Sequence, residues 1–211
     1  MGMKLTSIYA EVLKMTELKE NHLEFEKTSK NLLKKLMEEI NLESANAKGG
    51  NSAKLRYKAG KDSLSKDTYR PALCGTWEEN GYQCICNGFT GYMLSDKIEG
   101  LPVIPENSIP MKLSEIFKDM DKTPTFEIKL DIKDVKKKLD LAKALKGKKK
   151  LTAIDEGIYH IGNKNVDVEY LYNTMLLIGE DAEILSNENN DISAIYFVSG
   201  KGKGILLPLR K

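Results

Sequence analysis

The stretch that decides the fold lies at residues 69–96 and reads YRPALCGTWEENGYQCICNGFTGYMLSD. Residues 72–77 alternate between the two faces of a strand, and Asn80-Gly81 follows shortly after them. Asn-Gly is the strongest short hairpin signal, because both central residues of a type I′ turn need a positive φ. Residues 82–86 then alternate again. The stretch therefore predicts a β-hairpin.

The composition of the whole chain bounds its class. It has 211 residues, of which 41% are hydrophobic and 30% charged, enough for one large domain or two smaller ones. It contains no run of 18 apolar residues, and its first 20 residues carry interspersed charges instead of the apolar core of a signal peptide. We therefore expect a cytoplasmic protein.

Three cysteines, Cys74, Cys84 and Cys86, suggest either a zinc site or core packing. Structural zinc needs four ligands, and only His22 and His160 exist elsewhere to complete the set. We therefore expect reduced cysteines that pack as small apolar residues, no bound metal and no cofactor.

Catalytic motifs are absent from the sequence. No Cys-His or Gly-x-Ser-x-Gly arrangement occurs, and the glycines of "SGKGKG" (Ser199–Gly204) lead into a strand pattern, whereas a phosphate-binding loop opens a helix. We expect the protein not to be an enzyme.

The first half of the chain predicts mostly helices. Residues 5–19 have apolar residues at helical spacing, and Ser29 can cap a second helix over residues 30–40. Between these segments, residues 22–26 alternate as a short strand would, and the small, Gly-rich residues 43–52 indicate a loop or an inserted linker.

A Pro-containing segment at residues 121–124 marks a predicted domain boundary, which gives domains 1–122 and 123–211. The second domain is predicted to contain, in order, a strand (125–130), a helix (131–146), a hairpin around residues 155–157, a helix (165–178) and three short strands. The fold class is α+β, with tandem units that each combine a helix with an antiparallel β-meander. Together these units would place two helices on a curved sheet.

This order of motifs resembles the DNA sliding clamp, in particular the bacterial processivity clamp, the β subunit of polymerase III. Residues Arg70–Leu94 are similar to the clamp hairpin that begins with Arg-Pro and ends in a "DGYRL"-like segment. Here that segment is Asn87-Gly88-Phe89-Thr90, so its acidic and arginine positions are changed. Residues 165–211 resemble the end of the clamp, where a "YL" helix precedes three strands and an apolar-Pro-apolar-Arg sequence, here Leu207-Pro208-Leu209-Arg210.

The resemblance covers about two-thirds of the chain and implies a DNA-clamp fold with two domains per chain. Two domains is the count of the trimeric clamps of eukaryotes, archaea and some phages, so a homo-oligomer, with a trimer favoured, and a phage or mobile-element relative are expected. A clamp would encircle double-stranded DNA and dock partner peptides at a C-terminal groove lined by Leu207, Pro208 and Leu209.

The charge distribution identifies candidate DNA-binding residues. Residues 132–150 carry nine lysines against two aspartates. For an arbitrary chain, such a run indicates a solvated helix face. The clamp resemblance instead implies sequence-independent contacts with DNA phosphates, through these lysines: Lys133, Lys136, Lys137, Lys146, Lys148, Lys149 and Lys150.

An alternative function remains open at this point. Residues 165–200 contain seven acidic residues and neither Lys nor Arg, so the second predicted helix is acidic. A clamp-fold protein–protein interaction module that no longer encircles DNA is consistent with that helix and with the changed "DGYRL" positions.

Overall fold

The computed structural model describes residues 22–145 and 157–210. The helix predicted at residues 5–19 and most of the hairpin predicted around residues 155–157 lie outside the described residues. The chain divides into two compact units, Met1–Lys54 and Leu55–Lys211.

Helix α1 (His22–Asp62) replaces two of the elements predicted for the first half. The strand predicted at residues 22–26 is wrong, because these residues are helical, and an alternation of five residues is too short to separate the two structures. The loop predicted at residues 43–52 is also helical, apart from the non-helical backbone of Gly49 and Gly50. Alanine, leucine and glutamate before these glycines favour a helix, so only the glycine pair interrupts it.

A six-stranded antiparallel sheet forms the centre of the second unit, in the order β1-β2-β3-β8-β7-β6. Its strands are β1 (Trp77–Glu79), β2 (Tyr82–Cys86), β3 (Thr90–Leu94), β6 (Glu183–Ser186), β7 (Ile195–Ser199) and β8 (Gly202–Leu206). The turn and the second strand of the predicted hairpin are confirmed: β1 and β2 pair, and Asn80 and Gly81 between them have φ of 53° and 83°. A type I′ turn requires this pair of positive angles. The strand predicted over residues 72–77 is wrong for all but its last residue, because Pro71–Leu73 form a short 3-10 helix and β1 begins at Trp77.

The two three-stranded meanders join through β3 and β8. These strands pair antiparallel, with Thr90 opposite Leu206 and Leu94 opposite Gly202. The sheet therefore contains strands from both sides of residue 122, where the sequence predicted a domain boundary.

The remaining elements are short helices and one hairpin. They are α2 (Leu113–Ile116), a 3-10 helix (Phe117–Lys122), α3 (Ile132–Leu145), β4 (Ile158–Ile161), β5 (Lys164–Asp167) and α4 (Val168–Ile178). Strands β4 and β5 pair only with each other. The first three residues of the helix predicted at 165–178 belong to β5, because Asp167 is the N-cap of α4.

The strand predicted at residues 125–130 is wrong. Thr125 makes only an isolated bridge to Leu185, and the Phe126 N–H donates to the Ile184 carbonyl at 2.7 Å. The segment thus touches the outer edge of β6 for two residues and then leaves it, whereas a strand needs a longer ladder.

Both faces of the sheet are covered. On one face, Cys84, Cys86 and Met93 belong to a core cluster that also contains residues of α2 and of the 3-10 helix, including Leu113 and Phe117. On the other face, Tyr92 is buried and shares a 2.8 Å hydrogen bond between its hydroxyl and that of Thr174 in α4. Buried strands with helices on both faces establish the α+β class.

Candidate functional site

Helix α3 positions the predicted DNA-binding lysines. Asp131 caps its first turn, because Oδ1 of Asp131 accepts from the backbone N–H of Lys133 at 2.7 Å. Val135 and Leu139, four residues apart, are buried on the inner side of the helix. The spacing that buries these two side chains turns the lysines to the outer side.

Lys133, Lys136 and Lys137 are all exposed on α3, as the helical pattern predicted. Lys136 Nζ donates to both carboxylate oxygens of Asp140, at 3.0 and 2.7 Å, and Lys137 pairs with Asp134 at 3.2 Å. Lys133 has no carboxylate partner among the described residues.

The ion pairs of α3 leave its surface positively charged. The hydrogen bond to Asp140 raises the pKa of Lys136, so its ammonium stays protonated at any physiological pH. Ion pairs between exposed groups contribute at most about 1 kcal/mol, so a phosphate can displace the aspartates at low cost. Over its length, α3 carries five lysines and two aspartates.

The other four predicted DNA contacts, Lys146, Lys148, Lys149 and Lys150, lie outside the described residues. They follow the last residue of α3, Leu145, directly in the sequence. They remain predictions.

Helix α4 packs beside α3 and carries the opposite charge. Asp167 caps α4, because its Oδ1 accepts from the N–H groups of Glu169 and Tyr170 at 2.8 and 3.1 Å. Glu169 reaches across to Lys143 of α3, with 2.9 Å between Nζ and Oε1. The acidic first turn of α4 thus neutralises one lysine at the far end of α3 from Lys133.

The predicted partner-binding residues lie along a short tail that follows β8. Leu207 and Leu209 are exposed and Pro208 is half-buried. The tail is held by two backbone hydrogen bonds, from the Leu207 N–H to the Phe89 carbonyl at 3.0 Å and from the Leu209 N–H to the Asn165 carbonyl at 2.7 Å. It therefore runs from the end of β8 towards β5.

Two aromatic residues that the sequence did not single out extend this surface. Phe89 is exposed and stacks on Tyr170 of α4, with 5.9 Å between the ring centroids and 18° between the planes. We call Phe89, Tyr170, Leu207, Pro208 and Leu209 the C-terminal apolar strip. The stack joins residues 81 positions apart in the sequence, so no local pattern could have indicated it.

The turn before Phe89 is organised by Asn87. Its side-chain Oδ1 accepts from the N–H groups of Phe89 at 2.9 Å and Thr90 at 2.8 Å, and from the Thr90 hydroxyl at 3.2 Å. Gly88 has a φ of 93°, which a side chain would strain. The Asn87 side chain thus closes the turn that leads into β3.

Cys84, Cys86 and His160 lie outside these two surfaces. Cys84 and Cys86 are buried in the core cluster, and burial raises the pKa of the Cys84 thiol to about 12. The part of the chain that the structure describes contains no group of three or more His, Cys, Asp or Glu that could hold a metal ion. His160 is exposed on β4, where its Nδ1 lies 2.7 Å from Oδ1 of Asn165.

Lys164 is a buried lysine on β5. Its Nζ lies 3.0 Å from the Asn187 carbonyl and 2.9 Å from the Ser193 hydroxyl, and it also donates to the Asn190 carbonyl. An ammonium has three donors, so all of them serve the loop between β6 and β7. The residue is structural.

No protein-family model, no curated protein and no solved structure matches this chain. Among the described residues, no helix is both long and apolar enough to cross a membrane. The structure thus offers two candidate functional surfaces, the lysine face of α3 and the C-terminal apolar strip.

Proposed function

We propose that the protein is a non-enzymatic, cytoplasmic factor of DNA-clamp type that contacts double-stranded DNA without reading its sequence. The observation that carries the proposal is the face of α3 on which Lys133, Lys136 and Lys137 stand exposed within two turns. No cofactor is needed for this function, and the C-terminal apolar strip would take peptides of partner proteins.

The arrangement of layers also supports the proposal. Helices α3 and α4 lie side by side, and α4 packs on the antiparallel sheet formed by two meanders. A clamp of this type would turn the helices towards the duplex and the sheet away from it. Ammonium groups at the surface of a helix contact phosphates as point charges, so the binding would depend on salt and not on base sequence.

DNA affinity measured by fluorescence anisotropy tests the proposal. Two duplexes of unrelated sequence should bind with the same affinity, which should fall steeply between about 50 and 200 mM salt. The slope of log K against log salt is negative, and each phosphate contact contributes about 0.9 to its magnitude. Replacing Lys133, Lys136 and Lys137 with alanine should therefore make the slope shallower by about 2.7. Alanine keeps the helix intact.

The matched control replaces three exposed lysines near α2 and the 3-10 helix, Lys112, Lys118 and Lys122, with alanine. It changes the net charge equally but leaves α3 untouched, so its salt slope should equal that of the wild type. Equal losses in both variants would mean that only total charge matters, and the assignment to α3 would be rejected.

A second candidate function is a protein-interaction module of the same fold class. Glu169, which pairs with Lys143, and the stacked, exposed Phe89 favour it. Absence of measurable DNA binding at physiological salt, by a folded protein, would reject the clamp proposal and leave this function.

The oligomeric state distinguishes a ring from a single subunit. One chain has a mass of 23.7 kDa, and a closed ring of six domains would have three times this mass. Light scattering over a range of concentrations measures it directly. A trimer would make encirclement of DNA the working model, whereas a mass of one chain at all concentrations would reject the ring.

A further inference from the structure

The sequence contains two Asn-Gly pairs, Asn80-Gly81 and Asn87-Gly88, and both lie in turns of the sheet. Both glycines have a positive φ, 83° at Gly81 and 93° at Gly88. Asparagine before glycine is the dipeptide in which the next backbone nitrogen attacks the side-chain amide most readily, because glycine has no Cβ to block the approach. The two pairs therefore share one chemistry and differ in their surroundings.

The Asn80-Gly81 pair is exposed at the tip of the β1–β2 hairpin. Among the residues that the structure describes, neither the side-chain amide of Asn80 nor the N–H of Gly81 has a hydrogen-bond partner. A Cβ built on Gly81 would have no atom to contact within 4 Å, so the tip can distort without disturbing the packed sheet. The amide and the nitrogen that would attack it are thus both free to move.

The Asn87-Gly88 pair is held at both reacting groups. Asn87 is only 8% exposed, and its Oδ1 accepts from the N–H groups of Phe89 and Thr90 and from the Thr90 hydroxyl. The Gly88 N–H, which carries the nitrogen that would attack, donates to Sγ of the buried Cys86 at 3.4 Å. Reaction at Asn87 must therefore wait until these hydrogen bonds open together.

We propose that Asn80 is a site of spontaneous deamidation, at which the folded chain converts to a mixture of aspartate and isoaspartate, while Asn87 is protected. The Gly81 nitrogen forms a bond to Cγ of Asn80, the bond from Cγ to Nδ2 breaks, and Nδ2 leaves as ammonia with the proton from Gly81. The product is a succinimide ring. Water is the second reactant: it adds to either ring carbonyl, and opening of the ring leaves a carboxylate at residue 80.

The two products differ in the path of the backbone. Aspartate keeps the original backbone, and Asp-Gly fits a type I′ turn as Asn-Gly does. In isoaspartate the backbone runs through Cβ and Cγ, which adds one atom to a loop of two residues. The loop length fixes the register of a hairpin, so isoaspartate should loosen the pair that closes this one, Glu79 opposite Tyr82.

The residue that closes the hairpin also anchors α2. The Glu79 carboxylate accepts from the backbone N–H groups of Leu113 at 2.9 Å and Ser114 at 3.0 Å. Strand β1, which carries Glu79, lies at the edge of the described sheet and pairs there with β2 alone. A longer backbone at residue 80 should therefore release the amides of Leu113 and Ser114 as well as those of the hairpin.

Ageing of the full chain at mildly alkaline pH, followed by peptide mass spectrometry, tests the inference independently of DNA binding. Replacement of the amide by a carboxyl group changes the peptide mass, and fragmentation by electron transfer distinguishes isoaspartate from aspartate. In the folded chain, deamidation should be at least about tenfold faster at Asn80 than at Asn87, because the hydrogen bonds of Asn87 keep its reactive population small. An Asn80 that reacts no faster than Asn87 overturns the inference.

The same measurement in urea is the control for the effect of sequence alone. In the unfolded chain, both asparagines precede a glycine and neither is held by the turn, so their rates should become similar. If the preference for Asn80 persists unchanged in urea, the neighbouring residues set it, and the protection of Asn87 by the folded turn is refuted.

Two variants test the effect on the hairpin and on α2. Asn80→Gly removes the amide and keeps a Gly-Gly pair that a type I′ turn accepts, whereas Asn80→Asp has the carboxylate without the longer backbone. Hydrogen exchange at Tyr82, Leu113 and Ser114 should become faster in the aged wild type, in proportion to its isoaspartate content. It should stay unchanged in aged Asn80→Gly and in fresh Asn80→Asp. Faster exchange in either variant, or none in the aged wild type, would overturn the link between the turn and α2.

Discussion

Replacing Asn87 with alanine should destabilise the second unit by about 2–3 kcal/mol. The side-chain oxygen of Asn87 accepts three hydrogen bonds, from the Phe89 N–H and from the N–H and hydroxyl of Thr90. Phe89 is exposed, so water can replace its bond, but Thr90 is buried. An orphaned buried N–H costs about 1–3 kcal/mol, and the lost hydroxyl bond adds up to about 1 kcal/mol.

Urea unfolding followed by tryptophan fluorescence measures this effect. Trp77 is the only tryptophan and lies in the core cluster of the sheet, so its signal reports on the second unit. With a denaturant slope of about 2 kcal/mol/M, the unfolding midpoint should fall by about 1 M. Asn87→Asp is the matched control, because a carboxylate oxygen accepts the same three bonds. It should retain most of the stability.

A change of less than about 0.5 kcal/mol for Asn87→Ala would refute the reasoning, since that is the ordinary range for surface substitutions. The turn would then be held by its backbone and by Gly88 alone. Equal losses in the alanine and aspartate variants would also refute it, because the loss would then not follow from the missing acceptor.

Two further predictions concern the same sheet. Because burial raises the folded-state pKa of Cys84 to about 12, the stabilisation from its neutral thiol is fully present below the pKa of the unfolded thiol and is lost as the pH rises towards 12. Above a pH of about 9, the free energy of unfolding of the wild type should therefore fall by about 1.4 kcal/mol per pH unit more than that of Cys84→Ala. Urea titrations at several pH values measure this difference. Gly202 has a φ of 142°, and an added Cβ would lie 2.2 Å from the Met93 carbonyl oxygen, so Gly202→Ala should cost more than about 2 kcal/mol, whereas Gly200→Ala, with open space around it, should change the melting temperature little.

The elements that local sequence determines were predictable. The Asn80-Gly81 turn is one example, because its backbone angles follow from the two residues themselves. Helix α3 is another: Val135 and Leu139 repeat at helical spacing, so the exposed side of its lysines followed directly. Both predictions needed no knowledge of the rest of the chain.

The misses have physical causes. Residues 125–130 have the composition of a strand, but pairing at the edge of β6 ends after Phe126, and no sequence pattern records where a ladder ends. The glycine pair at 49–50 indicated a loop, whereas helical residues on both sides limit its effect to the backbone of two residues. The stack of Phe89 on Tyr170 depends on the pairing of strands that are distant in the sequence, so it could not be predicted from local patterns.

The β3–β8 pairing has a consequence for how the protein is made. Strand β3 is complete at residue 94, but its second neighbour in the sheet ends at residue 206, so more than a hundred residues must be synthesised before the pair can form. Until then, one edge of the first meander is open, and such an edge can pair with another chain. Contacts between residues so far apart slow folding. We therefore expect this sheet to form late in synthesis and to benefit from chaperones that shield the edge of β3.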